Sequence, residues 1–126
     1  MRAPQGRKRG SRKAESIPLH VGLPVKRVIA KFNEVYELEG AQKAINLLTR
    51  YYHVRKLRIV LDGRRVPRQC CAVYFEDTAY FRREGLRKRV VLHEAYHFFV
   101  EAQGYDLGSC IEEKEANAFA SRFLKS

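Results

Sequence analysis

A chain of 126 residues has the length of one domain, and 45% hydrophobic residues are enough for one core. Twenty-five Lys+Arg against 14 Asp+Glu leave a net charge of +11, which points to an anionic partner. No apolar run approaches the roughly 18 residues of a membrane span, and the Arg-rich start lacks the apolar segment of a secretory signal, so neither a membrane span nor export is expected.

Three cysteines, Cys70, Cys71 and Cys110, form no CxxC and leave one over in any pairing. A reducing, cytoplasmic compartment is therefore expected. Cys70 and Cys71 are adjacent and badly placed to bridge each other, so they read as strand residues.

Arg2, Arg7, Lys8, Arg9, Arg12 and Lys13 fall in a stretch with almost no apolar residue. Residues 1–16 are expected to be a disordered basic tail, and residues 17–126 a single domain. Such a tail could serve as a nucleic-acid arm or simply be a solvated end. Residues 18–24, bounded by prolines, read as a connector.

The spacing of Val25, Val28, Ile29, Phe32, Val35 and Tyr36 predicts a helix over 25–38, broken at Gly40. A second helix is expected over 41–52, with Ala44, Ile45, Leu48 and Tyr52 in step. Two helices around a glycine fit a helix-turn-helix, but packing against a sheet explains the same stripes. Residues 57–61 are short and β-prone, and Asp62-Gly63 signals a turn. Arg64, Arg65 and Arg68 make a basic loop. Residues 71–75 and 79–82 then read as a hairpin about Glu76-Asp77-Thr78, with Tyr74, Phe75, Tyr80 and Phe81 as cross-strand contacts. The fold class is therefore α+β: a small, mostly antiparallel sheet packed on the N-terminal helices, followed by two further helices.

The first of these runs over about 86–103 and carries His93-Glu94-x-x-His97. Val91, Leu92, Ala95, Tyr96, Phe98 and Phe99 recur at helical spacing around it. Residues four apart share a helix face, so two imidazoles at this spacing can bind one zinc ion. The glutamate after the first histidine sits close enough to act on a water there. Random shuffling of this composition produces such a pattern about 1% of the time, so it outweighs a core helix with two incidental histidines.

Gly104 suits a left-handed helix end, and Ser109-x-x-Glu112 has the form of a capping box that starts the last helix. The short loop between makes an antiparallel pair and brings the start of the last helix beside the end of the HExxH helix. Catalytic zinc takes three protein ligands. No histidine follows His97, so the third ligand must be sought among Asp106, Cys110, Glu112, Glu113 and Glu115. At 100° per residue, Glu112 and Glu113 lie near the apolar stripe of Ala116, Phe119, Ala120, Phe123 and Leu124, with Glu115 further round. That geometry does not separate Glu112 from Glu113.

His93-Glu94-x-x-His97 followed by Glu113-Lys114-Glu115-Ala116-Asn117-Ala118-Phe119-Ala120 resembles the ImmA/IrrE-type metallopeptidases. These gluzincin-like proteins pair an HExxH helix with a later ExxA(N/D)xFA helix. The resemblance covers about residues 41–124. It implies a zincin-like fold, one Zn2+ per chain held by His93, His97 and Glu113, and Asn117 as a residue that orients a ligand. The sequence departs from the family's frequent Leu-Gly inside HExxH, having Ala95-Tyr96 instead.

The activity so implied is zinc-dependent hydrolysis of a peptide bond, with Glu94 as general base and then proton donor to the leaving amine. A protein or peptide is the expected substrate, and a regulatory protein the expected kind. Strand 79–82 could offer an edge to an extended peptide. Tyr105 or His53 are candidate helpers at the oxyanion, while His20 and His53 otherwise read as surface or packing residues. The alternative is a nucleic-acid-binding or regulatory module that keeps the fold without proteolysis. It would use the basic tail and the arginines of residues 64–68 and 82–89.

Overall fold

The computed structural model describes residues 17–125; the basic tail, residues 1–16, lies outside them. Among the described residues the elements are α1 (Lys26–Glu39), α2 (Ala41–Tyr52), β1 (Arg58–Leu61), a 3₁₀ turn (Gly63–Arg65), β2 (Ala72–Phe75), β3 (Thr78–Phe81), a second 3₁₀ turn (Arg83–Gly85), α3 (Lys88–Ala102) and α4 (Ser109–Leu124). The α+β class and the order of elements are as the periodicities predict, with ends displaced by a residue or two.

The sheet is mixed, not mostly antiparallel. Its order is β1-β3-β2; β1 pairs parallel with β3 and β2 pairs antiparallel with it. The hairpin places β2 on one side of β3. The chain leaving β1 must then cross the end of β3 to reach β2, so β1 lies on the other side and runs the same way as β3. Arg82 holds the crossing by donating to the carbonyls of Val66 (2.9 Å) and Cys70 (3.1 Å). Two expectations fall with this. Strand β3 is central, with both of its edges already bonded, so it offers no edge to a peptide. Cys70 and Cys71 precede β2 in the crossing segment and are not strand residues. All three cysteines are free thiols.

One helix organises the core. Seven of the fifteen residues of α3 are buried: Val91, Leu92, Ala95, Tyr96, Phe98, Phe99 and Val100. A helix apolar on most of its circumference must be covered on several sides. The sheet supplies Ala79 and Phe81, α1 supplies Ile29 and Phe32, α2 supplies Ile45 and Leu48, and α4 supplies Phe119 and Phe123. Edge-on ring contacts such as Phe32–Phe123 (5.0 Å) and Tyr74–Phe98 (6.0 Å) knit these sources together.

α3 and α4 form the expected antiparallel pair. Arg89 reaches Ser121, His93 reaches Asn117, Tyr96 reaches Glu115 and His97 reaches Glu112, so the two numbers move in opposite directions in a steady register. The reversal between the helices needs Gly104 (φ 84°) and Gly108 (φ 80°), a backbone region that costs other residues about 1–2 kcal/mol. The capping box does not form. Gly108 is the N-cap, Ser109 is already helical, and no side chain caps the helix. The carboxylate of Glu112, which a capping box would direct to the N-cap amide, turns to His97 instead.

Candidate metal centre

Three donor groups converge where α3 meets the start of α4. Nε2 of His93 and Nε2 of His97 are 3.2 Å apart. The Glu113 carboxylate places Oε1 3.1 Å from the first and Oε2 2.9 Å from the second. Four ligands at the ordinary zinc distances of ~2.0–2.1 Å form a tetrahedron with edges of about 3.3 Å. The Nε2–Nε2 separation matches that edge, and each nitrogen has one oxygen of the carboxylate at a distance within a few tenths of an ångström of it. Among the described residues this is the group of His, Cys, Asp and Glu side chains close enough to share an ion. The antiparallel register produces it: one helical turn separates His93 from His97, and Glu113 enters from the facing helix at their level.

The outer nitrogens of both rings are also held. Nδ1 of His93 lies 2.9 Å from Oδ1 of Asn117, and Nδ1 of His97 lies 2.5 Å from Oε2 of Glu112. An ionised carboxylate only accepts hydrogen bonds, so Nδ1 of His97 carries the proton and donates it. A neutral ring in that tautomer turns a lone pair on Nε2 towards Glu113 and towards the other imidazole. Lone pairs facing lone pairs at about 3 Å repel unless a cation lies between them. Two imidazole nitrogens, one carboxylate and two acceptors that fix the ring tautomers make a donor set that fits zinc.

Glu94 occupies the same face of α3 and is half-buried. Burial pushes its carboxyl pKa up. The His97 and His93 rings pull it down, the Glu113 carboxylate pushes it further up, and the net direction is upward. A carboxylate made more basic in this way is better suited to take up a proton near neutral pH.

The other candidates separate cleanly. Asp106 and Cys110 are exposed and outside the convergent group. Glu112 takes part through Nδ1 of His97, not as a third donor beside the two Nε2 atoms. Glu115, placed further round the helix by ideal geometry, is the buried acid of α4, with 3% of its surface exposed. It accepts from the Tyr96 hydroxyl (2.5 Å), from the backbone N–H of His20 (3.0 Å) and from His20 Nδ1 (2.6 Å). The Tyr96 hydroxyl in turn accepts from the backbone N–H of Val21 (3.2 Å). Burial alone would raise the Glu115 pKa, but these hydrogen bonds outweigh it and hold the carboxyl below its ordinary value.

His20 is therefore a working contact between the connector and the two site helices. Nothing in the sequence marked it, because its partner lies 95 positions away. Tyr105 packs edge-on against His20 at 5.6 Å, and His53 is exposed in the left-handed position that ends α2. Among the described residues no helix is long and apolar enough to cross a membrane. Comparison with protein-family models, curated proteins and solved structures finds no match to this chain.

Proposed function

We propose that this protein is a zinc-dependent metallopeptidase of the ImmA/IrrE-like kind. The observation that supports the reading is the convergence of Nε2 of His93, Nε2 of His97 and the Glu113 carboxylate at separations of 2.9–3.2 Å. A zinc ion held by these three residues supplies Lewis acidity, acidifying a water and polarising a carbonyl. The chain's own groups supply the rest. Asn117 and Glu112 fix both rings in the tautomer that frees Nε2. Glu94 accepts the proton of the attacking water at its carboxylate and passes it to the amine that leaves. β3 is internal, and on β1 the Gln42 side chain binds the outward Ile59 N–H (2.7 Å) and the Leu57 carbonyl (2.9 Å), so β2 is the sheet edge available to an extended substrate backbone.

The test is metal content followed by cleavage. Wild-type protein purified without added metal should carry about one zinc per chain, and Glu113→Gln should lose it. Glu94→Gln should keep the zinc and lose hydrolysis of a casein or mixed-peptide substrate by a factor of about 10² or more. Wild-type protein that holds no zinc and gains no thermal stability from added zinc would end this reading.

A further inference from the structure

The charge of this protein is not spread evenly, and the structure shows where it gathers. The acids crowd one end of the α3–α4 pair: residues 101–115 hold five acids against Lys114. The opposite end, where α3 begins and α4 finishes, reverses the balance. Residues 82–89 hold five cations against Glu84, and residues 121–125 add Arg122 and Lys125 with no acid. The antiparallel register brings these two stretches together, as the Arg89–Ser121 hydrogen bond (3.3 Å) shows.

Two further facts concentrate charge there. Arg122 donates to the carbonyl of Ile17 (2.8 Å), so the first described residue, which follows six cations and one acid in the sequence, lies at this same end. The first turn of α3 has no acidic residue and no side-chain cap, so nothing offsets the positive pole of the helix.

The arginines of the crossing segment are differently employed. Arg64 and Arg65 pair with Asp62, Arg65 also lies over the Tyr80 ring at 5.2 Å, and Arg82 is bound to backbone carbonyls. Arg64, Arg65 and Arg68 are exposed, as are Arg83, Arg87 and Arg89, but among the described residues Arg64 and Arg65 share Asp62, whereas Arg83, Arg87 and Arg89 pair with no acid. They are arginines, whose planar forks suit phosphate oxygens in pairs. Leu86, the apolar residue among them, is packed on the core, which leaves Leu124 (38% exposed) as the large apolar side chain of this surface, too little apolar area for a lipid layer.

We propose that the start of α3 and the end of α4 form a docking surface for the phosphodiester backbone of a nucleic acid duplex. Recognition there is electrostatic and independent of base sequence. The acids at the far end repel the same ligand and orient it. Six residues of helix, about 9 Å of rise, separate Arg87 from His93, so the surface and the metal centre are distinct sites on one pair of helices. This inference does not depend on zinc or on peptidase activity.

The experiment is fluorescence anisotropy of a labelled mixed-sequence duplex of about 20 base pairs, titrated with full-length protein over a range of salt. Wild type should bind at about 100 mM salt and weaken steeply as salt rises. The triple variant R83S/R87S/R89S should bind at least tenfold more weakly, with a salt slope smaller by about 2–3, since each phosphate no longer neutralised lowers the slope by about 0.9. R83K/R87K/R89K should keep most of the slope. R64S/R65S/R68S should bind as wild type does, and Glu113→Gln should not lose binding. Should the triple serine variant melt early, the three single variants carry the test, each lowering the slope by about 1. Any one of four results overturns the proposal: no binding by wild type, unchanged binding by a folded R83S/R87S/R89S, a loss confined to R64S/R65S/R68S, or binding to anionic phospholipid vesicles without binding to the duplex.

Discussion

Glu115→Gln isolates the contact that joins the connector to both site helices. The substitution keeps the side chain's shape and removes its charge. In the native protein the carboxylate accepts three hydrogen bonds: Tyr96 Oη and the His20 amide on Oε1, and His20 Nδ1 on Oε2. Glutamine retains one accepting oxygen, so it can keep the pair on Oε1 but turns an NH2 group towards Nδ1. Hydrogen bonds to a charged group contribute about 1.5–3 kcal/mol each, and a mismatched buried donor costs about as much. The carboxylate is almost fully buried, but the His20 side chain is 48% exposed, so solvent offsets part of that loss. The expected loss is about 2 kcal/mol, or a fall in Tm of roughly 10 °C for a domain of this size.

The pH dependence tests the cause. Because the carboxyl pKa is held down in the folded state, the contact stabilises fully above the ordinary glutamate range. That stability is lost as pH falls through the depressed folded value. Thermal melts of wild type and Glu115→Gln in the presence of a chelator should therefore differ most near pH 7 and converge in strong acid. Equal melting at pH 7, or a gap that persists undiminished to about pH 2, would refute the assignment of this stability to the ionised carboxylate.

Three other outcomes are expected. Gly85→Ala should be destabilised by several kcal/mol in chemical denaturation, because an added Cβ would lie 2.3 Å from the backbone carbonyl oxygen of Cys71, which cannot yield without moving the crossing segment. Asn117→Ala and Glu112→Gln should each weaken zinc affinity about 10–100-fold in competition with a chelating dye, while Glu113→Gln abolishes tight binding. Removal of zinc from wild type should lower Tm, and readdition at about 100 times Kd should restore about 2.7 kcal/mol, whereas Glu113→Gln should respond to neither.

The sequence made some of this legible and concealed the rest, for physical reasons. Helix stripes are local, so α1, α2 and α3 could be read from their own residues; Phe32, Ile45 and Phe98 are buried where periodicity puts them. The convergence of His93, His97 and Glu113 was approachable because two of the residues share a helix face and the third enters through a short loop. Sheet order was not legible, because nothing within β1, β2 or β3 says on which side of β3 the first strand will lie. The Ser109-x-x-Glu112 pattern misled for a related reason. Local capping competes with a partner on another helix, and His97 is the stronger partner for that carboxylate. Ideal helix angles likewise misplaced Glu115, since they describe α4 alone and omit the segment around His20 that covers it.

Tyr96 shows how closely stability and the site are joined. It fills a position inside the HExxH motif, one residue before His97, yet its ring is buried against Phe119 at 4.9 Å and its hydroxyl meets Glu115. Glu115 is two residues beyond Glu113. The tyrosine therefore ties α3 to α4 at the level where the donor atoms must meet, from the face of α3 that the donors leave free. Tyr96→Phe keeps the ring packing and removes that tie together with the acceptor of the buried Val21 N–H. Its hydroxyl touches none of the three donors, so any loss of zinc affinity must come from altered helix register. A register shift of a few tenths of an ångström would be felt by Glu113 first, since it alone enters the trio from α4. Tyr96→Phe should accordingly weaken zinc binding less than Asn117→Ala does, and the two effects should add, because one sets the spacing of the helices and the other the orientation of a ring. Zinc titrations of the two single variants and the double variant measure this; a double variant no weaker than Asn117→Ala would show that the hydroxyl contributes to folding without contributing to the spacing of the donors.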